Sequence, residues 1–109
     1  MSFIEVAKVE EIPAGKMKGF TASGKEILVV NYQGTFYAIG KVCTHAGGDL
    51  SKGKLEGNIV TCPKHGSKFD VTTGKSIAGP KIGFFRGKTK DETVFEVKVE
   101  DNKIKINVA

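Results

Sequence analysis

Apolar and polar positions alternate along much of this chain, and no long helical stripe interrupts them. Phe3–Lys8 alternates loosely and reads as a strand. Residues 26–32 form an apolar, β-branched run, and Gln33-Gly34 turns it back into a second run over 35–42. Residues 58–62 and 68–71 are short β-branched or aromatic strands, the second ended by Thr72-Thr73-Gly74. Residues 93–100 alternate strictly, with Phe95, Val97 and Val99 on one face and Val94, Glu96 and Lys98 on the other. Ile104, Ile106 and Val108 continue the pattern over 103–108, and Asp101-Asn102 closes the two runs into a hairpin. No window supports an amphipathic helix longer than about three turns. The pattern predicts an all-β protein, a small antiparallel sandwich or barrel.

Length and composition narrow this picture. The 109 residues predict one domain spanning 1–109. Fourteen glycines beside three prolines point to many tight turns rather than a disordered tract. No apolar run reaches the ~20 residues that span a bilayer, and the N-terminus lacks a basic stretch followed by an apolar one. A cytoplasmic, non-membrane protein is the expectation. The net charge of +5 is unevenly spread. Residues 41–90 hold ten Lys/Arg against Asp49, Glu56 and Asp70, a balance of +7, and the rest of the chain is −2. Such a half is either a solvated lysine-rich surface or a face that steers an acidic partner. Nucleic acid is not expected, because lysine outnumbers arginine and no stacking motif or basic recognition helix is present.

The chemistry is concentrated in two short segments. The chain has two Cys and two His, and all four lie in Cys43-Thr44-His45 and Cys62-Pro63-Lys64-His65, with sixteen residues between the pairs. Two thiolates and two imidazoles at one point make a transition-metal site. A disulfide would not require a His beside each Cys, so a metal site in a reducing compartment is the better reading. A structural zinc module is the alternative from another class, although zinc sites usually use a Cys-x2–4-Cys knuckle rather than Cys-x-His. With His45-Ala46-Gly47-Gly48 after the first pair and Gly66-Ser67 after the second, the chain resembles a Rieske-type [2Fe-2S] ferredoxin. The resemblance is strong over roughly 41–81 and general elsewhere.

The resemblance implies a Rieske-like scaffold with a small cluster-binding subdomain, about 42–81, inserted in it. It implies one [2Fe-2S] cluster, with Cys43 and Cys62 on one iron and His45 and His65 on the other, near the surface. Two thiolates on a core of two ferric ions and two sulfides leave a neutral site. That site is easier to reduce than a dianionic four-thiolate one, so potentials lie at roughly −150 to +300 mV. Gly47, Gly48 and Gly66 let backbone N–H groups approach sulfur. Ser67 matches a serine that donates to a bridging sulfide in high-potential members. Phe69 stands where those members carry a tyrosine donor. Gly48 and Lys64 stand where respiratory members carry a loop-tying disulfide. Ile77-Ala78-Gly79-Pro80 matches the loop that covers the cluster with a proline. The following segment, with Phe84-Phe85-Arg86, departs from the shorter link the resemblance implies, and its two phenylalanines read as core or edge packing. The implied function is a soluble one-electron carrier between a flavin-dependent reductase and a terminal oxygenase or similar acceptor, with no active site of its own. An electron-entry subunit of a nitrite-reductase-like complex and a redox sensor are alternatives of the same chemistry.

Overall fold

The structure is a computed structural model. It describes residues 2–44, 47–64, 66–79, 81–82, 85–86 and 90–108, with only the backbone at 81, 82, 85 and 86. The strands run in chain order β1 (Phe3–Lys8), β2 (Met17–Ala22), β3 (Lys25–Tyr32), β4 (Thr35–Gly40), β5 (Lys54–Glu56), β6 (Ile59–Thr61) and β7 (Lys68–Asp70). They continue as β8 (Ser76–Ala78), β9 (Lys81–Ile82), β10 (Phe85–Arg86), β11 (Val94–Phe95), β12 (Val97–Glu100) and β13 (Lys103–Asn107). Two short 3-10 turns, Val9–Glu11 and Leu50–Lys52, are the helical elements among the described residues.

Three antiparallel sheets do the work. Their orders are β1-β13-β12, β11-β4-β3-β2 and β5-β6-β7-β8. Three of the hairpins turn on residues with positive φ at both central positions, Ser23-Gly24, Gln33-Gly34 and Asp101-Asn102. These are type I′ turns, whose twist matches that of the strands they join.

β3 is the centre of the molecule. Its run Ile27-Leu28-Val29-Val30 is wholly buried, because both faces of its sheet are covered. Ile27 and Val29 enter one core with Phe36, Ala38, Ile104, Ile106 and Val108, under the β1-β13-β12 sheet. Leu28 and Val30 enter a second core with Ile39, Leu50, Val60, Phe69 and Val71. Cys43 and Cys62 belong to this second core, each 2% exposed.

The strand expected over 93–100 is two strands. β11 pairs with β4 and β12 pairs with β13, so the chain changes sheets at Glu96. Phe95 and Val97 still pack against the first core. Val99 does not and is half exposed, on β12 at the edge of its sheet. The alternation was in phase throughout, but phase carries no information about which neighbour a strand will pair with. The strand expected over 35–42 stops at Gly40, and Val42 makes an isolated bridge to Asp49. β9 and β10 form a two-residue antiparallel pair where the sequence departs from its resemblance. Phe84 lies outside the described residues.

Candidate metal centre

Each cysteine opens a loop of the same construction. The first loop, 43–48, is closed by the Val42–Asp49 bridge. The second, 62–67, is closed by the Thr61–Lys68 pair of the β6-β7 hairpin. In the first, the Cys43 N–H donates to the Gly48 carbonyl at 2.7 Å and the Cys43 carbonyl accepts from Gly47 N–H at 3.1 Å. In the second, the Cys62 N–H donates to the Ser67 carbonyl at 2.8 Å and the Cys62 carbonyl accepts from Gly66 N–H at 3.1 Å. Gly47 and Gly66 occupy the same place in each loop, with φ of +69° and +75°. A side chain there would strain the turn that returns the backbone toward the cysteine.

The two loops meet. A Cβ placed on Gly48 would come within 2.7 Å of Cys62 Sγ, so the first loop lies directly against the second cysteine. Ser67 is completely buried, and its hydroxyl has no hydrogen-bond partner among the described residues. A buried hydroxyl without a partner costs about 1–3 kcal/mol, and among the described residues no protein atom supplies one here. Phe69 is also completely buried and shares the second core with both cysteines. Pro63 and Lys64, by contrast, are exposed on the outer side of the second loop. Of the predicted site residues, His45, His65 and Pro80 lie outside the described residues.

A third contributor carries no marker in the sequence. The segment 90–93 runs past the first loop as a strap. Glu92 is 7% exposed, and its Oε2 accepts the Thr44 N–H at 3.1 Å. Thr44 Oγ1 donates to the Lys90 carbonyl at 2.6 Å. The same segment holds β4, where Gly40 N–H donates to the Thr93 carbonyl at 2.9 Å. It also holds the sheet of the second cysteine. Glu92 N–H donates to the Gly74 carbonyl at 2.7 Å, and Ser76 N–H to Asp91 Oδ1 at 2.8 Å. Burial pushes the Glu92 carboxyl up to about 7, against the opposing pull of the Thr44 N–H. An acidic residue between Asp91 and Thr93 reads as solvated, and no local pattern marks it as buried.

Asp70 and Asp49 anchor the turns beside the site. Burial works to raise the Asp70 carboxyl, but hydrogen bonds from the Thr72 hydroxyl and N–H outweigh it and hold the group below its ordinary value. The balance is the same at Asp49, where burial is overcome by the Ser51 hydroxyl and N–H.

The sequence matches the Rieske [2Fe-2S] domain over residues 2–87, and the chain belongs to that family. It is 35% identical over 107 residues to the ferredoxin component of the naphthalene 1,2-dioxygenase/salicylate 5-hydroxylase systems of a Ralstonia species, covering 98% of this chain and 96% of the relative. It is 32% identical over 109 residues to the naphthalene 1,2-dioxygenase ferredoxin component of Pseudomonas putida, covering 100% of this chain and 98% of the relative. The ferredoxin of carbazole 1,9a-dioxygenase from Nocardioides aromaticivorans superposes with a TM-score of 0.81 at 26% identity, covering 97% of each chain. A chain in the complex of reduced oxygenase and oxidized ferredoxin of carbazole 1,9a-dioxygenase gives 0.83 at 28% identity, covering 95% of this chain and 100% of that one. Domains of this family bind a [2Fe-2S] cluster through two Cys and two His. The residues in place fit such a group: two buried thiols on abutting loops, and a buried hydroxyl lacking an acceptor.

Proposed function

We propose that this chain is the ferredoxin of a multicomponent oxygenase system, a one-electron carrier with no active site of its own. The observation that carries the reading is the meeting of the two cysteine loops, with Gly48 against Cys62 Sγ and the Ser67 hydroxyl buried without an acceptor. The ligands would be Cys43 and Cys62 on one iron and His45 and His65 on the other, within a cluster-binding subdomain of about 42–81. A cluster held there supplies a one-electron store.

The protein's part is positioning and solvent control. The buried cysteines keep their side of the site dry, which strengthens each interaction made there. Gly47, Gly48 and Gly66 leave the backbone bare where it approaches the sulfur atoms. The Ser67 hydroxyl, buried and without a partner among the described residues, would donate there and favour the more negative, reduced state. Phe69 fills its place without a donor, and Pro80 would cover the site from the third loop.

Its relatives are named as ferredoxin components of dioxygenase systems, which supports a terminal oxygenase as the acceptor and a reductase as the donor. We assign both partners an acidic docking face, supported by the +7 balance of residues 41–90. Part of that charge is neutralised within the protein, since Lys41 pairs with Glu26 at 2.6 Å. Lys52, Lys64, Lys75 and Lys90 are exposed. No helix among the described residues is long and apolar enough to cross a membrane, and a thiolate-bound metal suits the reducing cytoplasm.

The test is direct. Purified protein is expected to be red-brown with two iron and two acid-labile sulfides per chain. Dithionite reduction should give an EPR signal whose average g lies below that of all-cysteine clusters. A colourless protein with one zinc per chain would overturn the reading in favour of a structural zinc module.

A further inference from the structure

We propose that Glu92 is a positioning residue for the cluster-binding loops, holding the first loop at a fixed place relative to the sheet that carries the second. The inference rests on the cluster-carrying reading above.

The geometry is that of a clasp. The Glu92 carboxylate is the acceptor for the backbone N–H of Thr44, which lies between the predicted ligands Cys43 and His45. Holding that N–H fixes the plane of the Cys43–Thr44 peptide, directly after the first cysteine. The backbone of the same residue bonds to Gly74, in the turn between β7 and β8, and the second cysteine loop leads straight into β7. One residue therefore bonds the first loop through its side chain and the second loop's sheet through its main chain. Neighbouring groups repeat the link, with Lys90 bonded to Thr44 and Asp91 to Ser76.

Two glycines make room for the clasp. A Cβ on Gly40 would overlap Glu92 Oε1. A Cβ on Gly74 would come within 2.6 Å of the Glu92 carbonyl oxygen. The strap thus passes between a glycine of β4 and a glycine of the β7-β8 turn, too close to either for a side chain. A surface carboxylate serving only solubility would require neither burial nor this clearance.

The role needs an acceptor oxygen at this place, not a negative charge. Glu92→Gln keeps the acceptor. Glu92→Ala removes it. Gly40→Ala leaves Glu92 intact but pushes its carboxyl away, so it reports on the same contact without deleting the residue. All are compared as cluster-loaded proteins, by the g values of the reduced EPR signal, the rate of cluster loss and the melting temperature.

Glu92→Gln is expected to keep wild-type g values and a cluster-loss rate within about twofold of wild type. Glu92→Ala and Gly40→Ala should share displaced g values and lose the cluster on the order of tenfold faster, as expected for groups that orient ligands. A role confined to general stability predicts something else: lower melting temperatures with wild-type g values and cluster-loss rates. That result in either alanine variant overturns the proposal. So does a Glu92→Gln protein with the defect of Glu92→Ala. Should Glu92→Ala fail to accumulate, Gly40→Ala decides the question. Wild-type protein that carries no cluster would instead overturn the reading on which the proposal rests.

Discussion

Ser67 has a completely buried hydroxyl facing no described acceptor, and Phe69 has a completely buried ring two residues further on. They make opposite predictions about the potential. A hydrogen bond worth about 1 kcal/mol to the reduced state corresponds to about 40 mV for one electron. Ser67→Ala is expected to lower the potential by that order. Phe69→Tyr should raise it similarly, if its new hydroxyl reaches a cysteine sulfur. Voltammetry on the three proteins reads both, and unchanged values would show that neither side chain reaches the site. Glu92 gives a stability prediction. Its carboxyl is raised from 4.5 to about 7 by burial, so the folded protein favours the protonated form. The stabilisation is complete below the unfolded value of 4.5 and is lost as pH rises through about 7. At about 1.4 kcal/mol per unit, the whole effect is about 3 kcal/mol. Wild type should lose most of that relative to the non-titrating Glu92→Gln between pH 5 and 8. Parallel denaturation curves at several pH values would miss this divergence only if Glu92 were solvated.

Elements differ in how openly the sequence declared them. β3 and β13 were legible because their apolar residues enter a core in regular order: Ile27 through Val30 without a break, then Ile104, Ile106 and Val108 at every second place. The cysteine loops were legible for a different reason, since chemistry rather than periodicity marks them. β2, β5 and β8 were not read, because they are short or only partly buried and their residues alternate weakly. The strap was not read either. Its structural role comes from backbone bonds and two glycines distant in sequence, and neither leaves a local signature. The glycines offer a test at this scale. Gly48→Ala places a Cβ 2.7 Å from Cys62 Sγ, whereas Gly24→Ala meets nothing within 4 Å although its φ is +75°. Gly24→Ala should cost about 1 kcal/mol through backbone strain and keep full iron content. Gly48→Ala should cost about 1–3 kcal/mol and lose most of its iron, because the loops can no longer abut. Iron analysis beside thermal melts separates the two effects.

For the whole molecule, the relevant property is the uneven spread of charge. Ten of the seventeen basic residues lie within 41–90, the stretch that contains both cysteine loops. Electrostatic steering toward an acidic partner weakens with salt, since the screening length falls from ~10 Å at 0.1 M to ~3 Å at 1 M. Electron transfer from the reductase should therefore slow as ionic strength rises. Lys64→Glu reverses an exposed charge in the second loop. It should slow the low-salt rate several-fold and leave the high-salt rate nearly unchanged. Stopped-flow traces that are insensitive to both would mean that docking is governed by apolar contact instead.

β3 lies between two cores, and only one of them contains cysteine. The core beneath β1, β12 and β13 is built of apolar side chains. The other contains both thiols, and Ser67, whose carbonyl accepts the Cys62 N–H, has a buried hydroxyl with no partner among the described residues. We expect a newly made chain to close the first core early, and a bound cluster to tighten the packing of β6 and β7 against Leu28 and Val30 of β3. Amide hydrogen exchange would record this order. Amides of Val29 and Ile106 should be protected in the metal-free protein as in the loaded one, whereas those of Val60 and Phe69 should gain protection only when the cluster is in place.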